Sequence, residues 1–143
     1  MTERSGPFWD AVEGRAPMPP AASTLGFELV HADPDAGTIE VAFNPGPALT
    51  NPMGSVQGGF VAAMLDDTLG PALVATLEDG QFAVTLELKV SFLRPVGVGR
   101  VVGHGRIVHR GSSVAFLDGS LSDAEGTTVA TATATARIIS TQS

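Results

Sequence analysis

Residues 51–72 read NPMGSVQGGFVAAMLDDTLGPA, and the fold turns on how this stretch is read. At 100° per residue, Phe60, Val61, Met64, Leu65, Pro71 and Ala72 share one broad face. This predicts an apolar-faced helix over about residues 56–77. The other side carries Gly59, Ala62, Ala63, Asp66 and Gly70, and only Asp66 has real size there. Asp is a poor helix former, and this one lies too deep in the helix to cap its start. A carboxylate on a stripe of small residues is costly if kept dry. Asp66 therefore needs a reason beyond helix formation.

The start of the helix supplies one. Gly58 and Gly59 stand at its first turn. Backbone N–H groups there have no helical acceptor, and the helix dipole makes that end positive. Glycine lets a ligand oxygen approach closely. The arrangement suits an oxyanion or a polarised carbonyl.

The flanks read as strands. Residues 24–32 have strand character, PDAG is a turn, and TIEVAFN alternates apolar and polar, giving a hairpin. After the helix, LEDGQ ends it, and four strands follow at 82–93, 101–109, 113–122 and 128–139. The order β-β-α-β-β-β-β with one long helix is an α+β arrangement, one antiparallel sheet covering one apolar helix. Residues 1–22 read as a lead-in segment whose PFWDAV forms a short helix and packs Phe8 and Trp9 on the body. The main domain is expected over residues 23–140. TVATATATARII, with alternating small side chains, predicts a strand that something approaches closely.

Composition narrows the function. The chain has 143 residues, 43 % apolar content and a net charge of −7. Such a chain builds one packed domain and is not a general nucleic-acid binder. With no cysteine, disulfides, thiolate metal sites and a cysteine nucleophile are excluded. The first residues lack the order of a signal peptide, and no run has the ~18 apolar residues of a membrane helix. A soluble, cytoplasmic protein is expected. The charge is uneven. Residues 1–79 hold two bases and eleven acids, whereas residues 80–143 hold six bases and four acids. Seven of the eight bases are arginine, the side chain suited to phosphates.

Asn51, Gly54, Gln57-Gly58-Gly59 and then Asp66, nine positions after Gln57, resemble the hotdog-fold acyl-CoA thioesterases, nearest the phenylacetate-degradation (PaaI-like) branch. TLELKVSFLRPV and GRIVHRGSSVAFLDGSLSDAEGTTVATATATARI resemble the family's later strands, so the resemblance spans about 110 residues. It implies a hotdog fold, with the sheet wrapped around the helix. It further implies that Asp66 is general base or nucleophile and that Gly58 donates its N–H to the thioester oxygen. Asn51 would position water or the acid, and Thr85, from a partner subunit, would assist. Arg110, Ser112 and Ser113, with Arg94 behind them, would contact the CoA phosphates. The substrate would be an acyl-CoA, hydrolysed without cofactor or metal. The family's His is Gln57 here; glutamine makes hydrogen bonds but carries no proton.

Two other functions compete. A non-catalytic acyl-CoA-binding module would have the same fold, and Gln57 is the feature that favours it. A hotdog enoyl-CoA hydratase would need an Asp-His pair that the sequence does not present. His104 and His109, five apart on one strand, are expected on opposite faces, so they form no metal site. The open sheet edge and the small-residue stripe predict a homo-oligomer, either a dimer or a dimer of dimers.

Overall fold

The computed structural model describes residues 4–141. Its elements are α1 (Pro7–Val12), α2 (Pro20–Leu25), β1 (Glu28–Asp33), β2 (Thr38–Phe43), α3 (Gly58–Val74), β3 (Gln81–Phe92), β4 (Val101–Arg110), β5 (Val114–Ser122) and β6 (Thr128–Ser140). A single 3-10 turn, Pro47–Leu49, interrupts the loop before α3. The six strands form one sheet in the order β1-β2-β4-β5-β6-β3, with every neighbour antiparallel. Helix α3 packs on the inner face of this sheet. This is the α+β hotdog arrangement.

The chain near residue 24 departs from the sequence reading. The strand expected from about Thr24 begins only at Glu28, and Pro20–Leu25 is a helix. Pro20 stands where its missing N–H costs nothing. Gly26 then closes the helix in the left-handed region, with φ 69°. A Cβ at Gly26 would also lie 2.9 Å from the Asn44 nitrogen, so this corner accepts only glycine. Helix α2 straddles the boundary expected at residue 22.

The buried face of α3 consists of Val61, Met64, Leu65, Thr68, Leu69, Ala72 and Leu73. Pro71, expected on that face, is half-buried on the flank instead. Leu69 and Leu73 complete the row one turn apart. Thr68 is fully buried and donates to the Met64 carbonyl at 2.8 Å, so its hydroxyl is satisfied within the helix. Gly103 on β4 leaves room for it. A Cβ there would collide with the Thr68 hydroxyl and lie 3.0 Å from its methyl group. The helix sits this close because the sheet offers small residues, including Ala130, Ala132, Ala134 and Ala136 on the inner face of β6. The threonines between them face outward.

Two of the sheet's four register shifts, those on β3 and β4, bear on the candidate site and the histidines. On β3 the register slips between Thr85 and Glu87, leaving Leu86 as the extra residue. On β4 it slips between Ile107 and His109, leaving Val108 as the extra residue. The second bulge overturns the expectation for the histidines. His109 pairs with Phe116 and lies 6.1 Å from its ring, while His104 pairs with Ser120. Phe116 and Ser120 are two strand positions of like parity, so both histidines face outward. Among the described residues no group of three His, Asp or Glu could hold a metal ion.

Candidate active site

Helix α3 carries two clefts, one at its start and one on its flank. The first cleft, about 550 Å³, opens beside Gly58 and is also bounded by Asn51, Phe92 and Arg94. Gln57 begins the helix with an extended backbone, φ −57° and ψ 138°, and its carbonyl accepts from Phe60 and Val61. The N–H groups of Gly58 and Gly59 take no partner among the described residues. They form a free donor pair at the positive end of a 17-residue helix. Phe92 lies against Gly58, 3.6 Å from where a Cβ would stand, and screens one side of the cleft.

Asn51 has a dual position. Its Oδ1 accepts from the N–H groups of Met53 (2.9 Å) and Ser55 (3.1 Å). The side chain therefore ties down the loop that delivers Gly58, and only its amide N–H groups remain to face the cleft. The Gln57 side chain is exposed and makes no capping hydrogen bond.

The second cleft, about 500 Å³, contains Asp66, Asp67 and Thr85. Thr85 donates its hydroxyl to Asp66 Oδ1 at 2.8 Å. The resemblance implies that this hydroxyl comes from a partner; the structure makes the contact within one chain. The β3 bulge is the cause. It lets Thr85 face the helix while Leu88 and Val90 beyond it still pack inward. Sequence periodicity alone would have broken one of these two sets. One Asp66 oxygen is thus held, and the other makes no side-chain hydrogen bond among the described residues.

Residues 53–130 match the model of the thioesterase superfamily. The chain belongs to the thioesterase superfamily. A phenylacetic acid degradation-related protein from Ralstonia eutropha JMP134 is 44 % identical, with 91 % of this chain and 98 % of that one covered and a TM-score of 0.87. A Bacillus halodurans protein solved with CoA is 33 % identical, covering 70 % of this chain and 66 % of that one at a TM-score of 0.67. The E. coli PaaI protein, from the phenylacetic acid degradation operon, shares the fold at 21 % identity, with 94 % of each chain covered and a TM-score of 0.82. Membership supports thioester hydrolysis as the general chemistry of this thioesterase-superfamily chain.

The arginines of this thioesterase-superfamily member divide sharply. Arg106 grips Asp118 with two hydrogen bonds (2.8 and 3.0 Å), and Arg100 pairs with Glu28. These account for part of the basic second half as sheet-face ion pairs, which a reading of charge alone could not separate from ligand contacts. Arg110 turns inward after the Val108 bulge and donates to the Thr76 carbonyl and hydroxyl beyond the end of α3. Ser112 and Ser113 lie next to it in the β4–β5 turn. This group therefore sits at the far end of the helix from Gly58, and only Arg94 shares a cleft with Gly58.

Asp67 is the residue whose surroundings the sequence concealed. Its Oδ2 is buried and has no hydrogen-bond partner. Pro71, four residues on, also denies the Asp67 carbonyl its usual helical donor. Burial, and after it the charge of Asp66, pushes the Asp67 carboxyl from an ordinary 3.8 up to about 6. The folded state thus holds the Asp67 proton more tightly than the unfolded chain does. Its stability falls as pH rises from about 4 to about 6, and the full penalty remains above that. Asp67→Asn should therefore raise the melting temperature at pH 7.5, by the equivalent of about 1–2 kcal/mol after allowance for residual solvent. The gain should vanish near pH 4. Thermal melts of both proteins at the two pH values check this; an equal gain at both would refute it.

Proposed function

We propose that this chain hydrolyses an acyl- or aryl-CoA thioester, in a site assembled from two subunits. The observation that carries the reading is the placement of two half-sites on one helix. Free Gly58 and Gly59 N–H groups lie at its start, and a Thr85-held Asp66 lies on its flank. Eight residues separate Gly58 from Asp66, about 12 Å along the axis. An oxyanion donor must lie about 3 Å from the carbonyl oxygen, and a base within about 3 Å of the attacking water. One thioester cannot meet both halves of a single chain. It can meet Gly58 of one chain and Asp66 of a second, related by a two-fold axis that generates two equal sites.

Strand β3 supplies an edge for such pairing. It is twelve residues long, and Phe82, Val84, Leu86 and Phe92 on it are exposed. An uncovered apolar edge of that length is an aggregation hazard unless another chain covers it.

In this site the Gly58 N–H donates to the thioester oxygen, and Asn51 faces the same cleft. Asp66 takes a proton from water, whose oxygen attacks the carbonyl carbon, or Asp66 attacks directly. The oxyanion collapses, the C–S bond breaks, and the CoA sulfur leaves with the electron pair and regains a proton; in the direct route the mixed anhydride formed on Asp66 is then cleaved by water, which restores the carboxylate. The products are the free acid and CoA. Arg94, beside Gly58, is the phosphate-binding candidate of the same cleft. Arg110, Ser112 and Ser113 would reach the nucleotide only from another subunit. Gln57 orients rather than transfers protons. The test is release of free thiol from a panel of CoA esters. Release above the uncatalysed rate is expected for at least one ester; tight binding with no release would favour the acyl-CoA-binding module to which Gln57 points.

A further inference from the structure

The cleft that contains Asp66 and Thr85 also contains Phe8, which comes from α1, nearly sixty residues earlier in the chain. The remaining walls are Gly70, Pro71, Val74, Ala83 and Val84, all small or apolar. On the helix the cleft runs from Asp66 to Val74, about 12 Å along the axis. Helix α1 is anchored at the Val74 end. Ser5 donates to Asp79 at 3.2 Å, and Trp9, nearly fully buried, borders the same hollow as Ala75 and Leu77. The Trp9 ring meets Phe8 edge-to-face at 5.1 Å, and the Arg4 guanidinium lies over the ring at 4.4 Å. Phe8 is thus a fixed apolar wall at the end of the cleft away from Gly58.

We propose that Phe8 determines specificity by closing the far end of the acyl pocket, so that the enzyme takes an apolar acyl group of limited length. The inference rests on the functional reading above, in which the carbonyl carbon stands beside Asp66. From that point the acyl group extends along Gly70, Pro71 and Val74 toward the Phe8 ring. The Asp66 and Asp67 carboxyls in this cleft, with no cation among its lining residues, also disfavour an acyl group ending in its own carboxylate.

The experiment measures kcat/KM over a series of straight-chain acyl-CoA esters of increasing length, plus one ω-carboxyacyl-CoA, for the wild type, Phe8→Ala and Phe8→Trp. Phe8→Ala should extend the longest acyl group accepted, raising the long-to-short ratio roughly tenfold or more. Phe8→Trp should shift the optimum to shorter chains. Opposite shifts from the two variants cannot arise from loss of folding, which lowers all rates alike. Hydrolysis by all three proteins with one unchanged length profile would overturn the role of Phe8 and leave the functional reading intact. No hydrolysis of any ester by the wild type would overturn that reading, and this proposal with it.

Discussion

Asp66→Asn should lower kcat by roughly 10²–10⁴, the usual contribution of a general base, while leaving the fold unchanged. The asparagine keeps the size of the side chain, and its carbonyl oxygen can still accept from Thr85, as Asp66 Oδ1 does now at 2.8 Å. What it loses is the charge that takes a proton from water or attacks the carbonyl. KM for the CoA ester should change little, because Gly58 and Arg94 are untouched. Asp67→Asn is the matched comparison. It alters the neighbouring carboxyl, which is buried and lacks a partner for Oδ2, and it should cost far less activity. Steady-state kinetics on the two purified variants separate the roles. If they lose activity equally, or Asp67→Asn is the inactive one, the assignment of the base is wrong.

Gly58→Pro should lower kcat by roughly 10²–10³, the price of one oxyanion donor. The substitution removes a single N–H and little else. Proline is well accommodated at the first position of a helix, and the extended backbone of Gln57 suits a residue preceding proline. Phe92 would sit at ordinary contact distance from the new ring, at 3.6 Å from the Cβ position. Gly59→Ala is the control, since a Cβ there meets nothing within 4 Å and the N–H is kept. It should retain most of the activity. A Gly58→Pro variant that melts normally and hydrolyses at the wild-type rate would show that the thioester oxygen is held elsewhere.

Much of this was legible in the sequence because it depends on local pattern. The helix of residues 58–74 announced itself through its apolar face, and the strands through alternation and glycine breaks. Asp66 stood out because an unsupported carboxylate deep in a helix has no structural reason to be there. The misses came from features that pattern does not encode. The α2 helix was short enough for Thr24 and Leu25 to pass as strand, although Pro20 and Gly26 bracket it as start and stop signals. The bulges at Leu86 and Val108 reverse parity without any sequence mark, so His109 lay on the unexpected face and the in-chain contact of Thr85 with Asp66 could not be read from alternation. Charge counts do not say that Arg110, a phosphate ligand by the resemblance, reaches Thr76 at the far end of the helix from Gly58. Phe8 was legible as a packing residue but not as a wall of the cleft, since that contact is between segments nearly sixty residues apart.

A two-subunit site makes one arrangement of mutations behave unlike any other. Asp66→Asn and Gly58→Pro each disable both sites of a homodimer. In a mixed dimer, the Gly58 of the Asp66→Asn chain meets the Asp66 of the Gly58→Pro chain, and one site is intact. Co-expressing the two variants with different tags, purifying the doubly tagged dimers and measuring thiol release tests this directly. The mixed dimers should recover about half of the wild-type activity per dimer, one of two sites restored. If their activity stays at the mean of the two separate variants, the donor and the base act within one chain, and the two-subunit site is wrong.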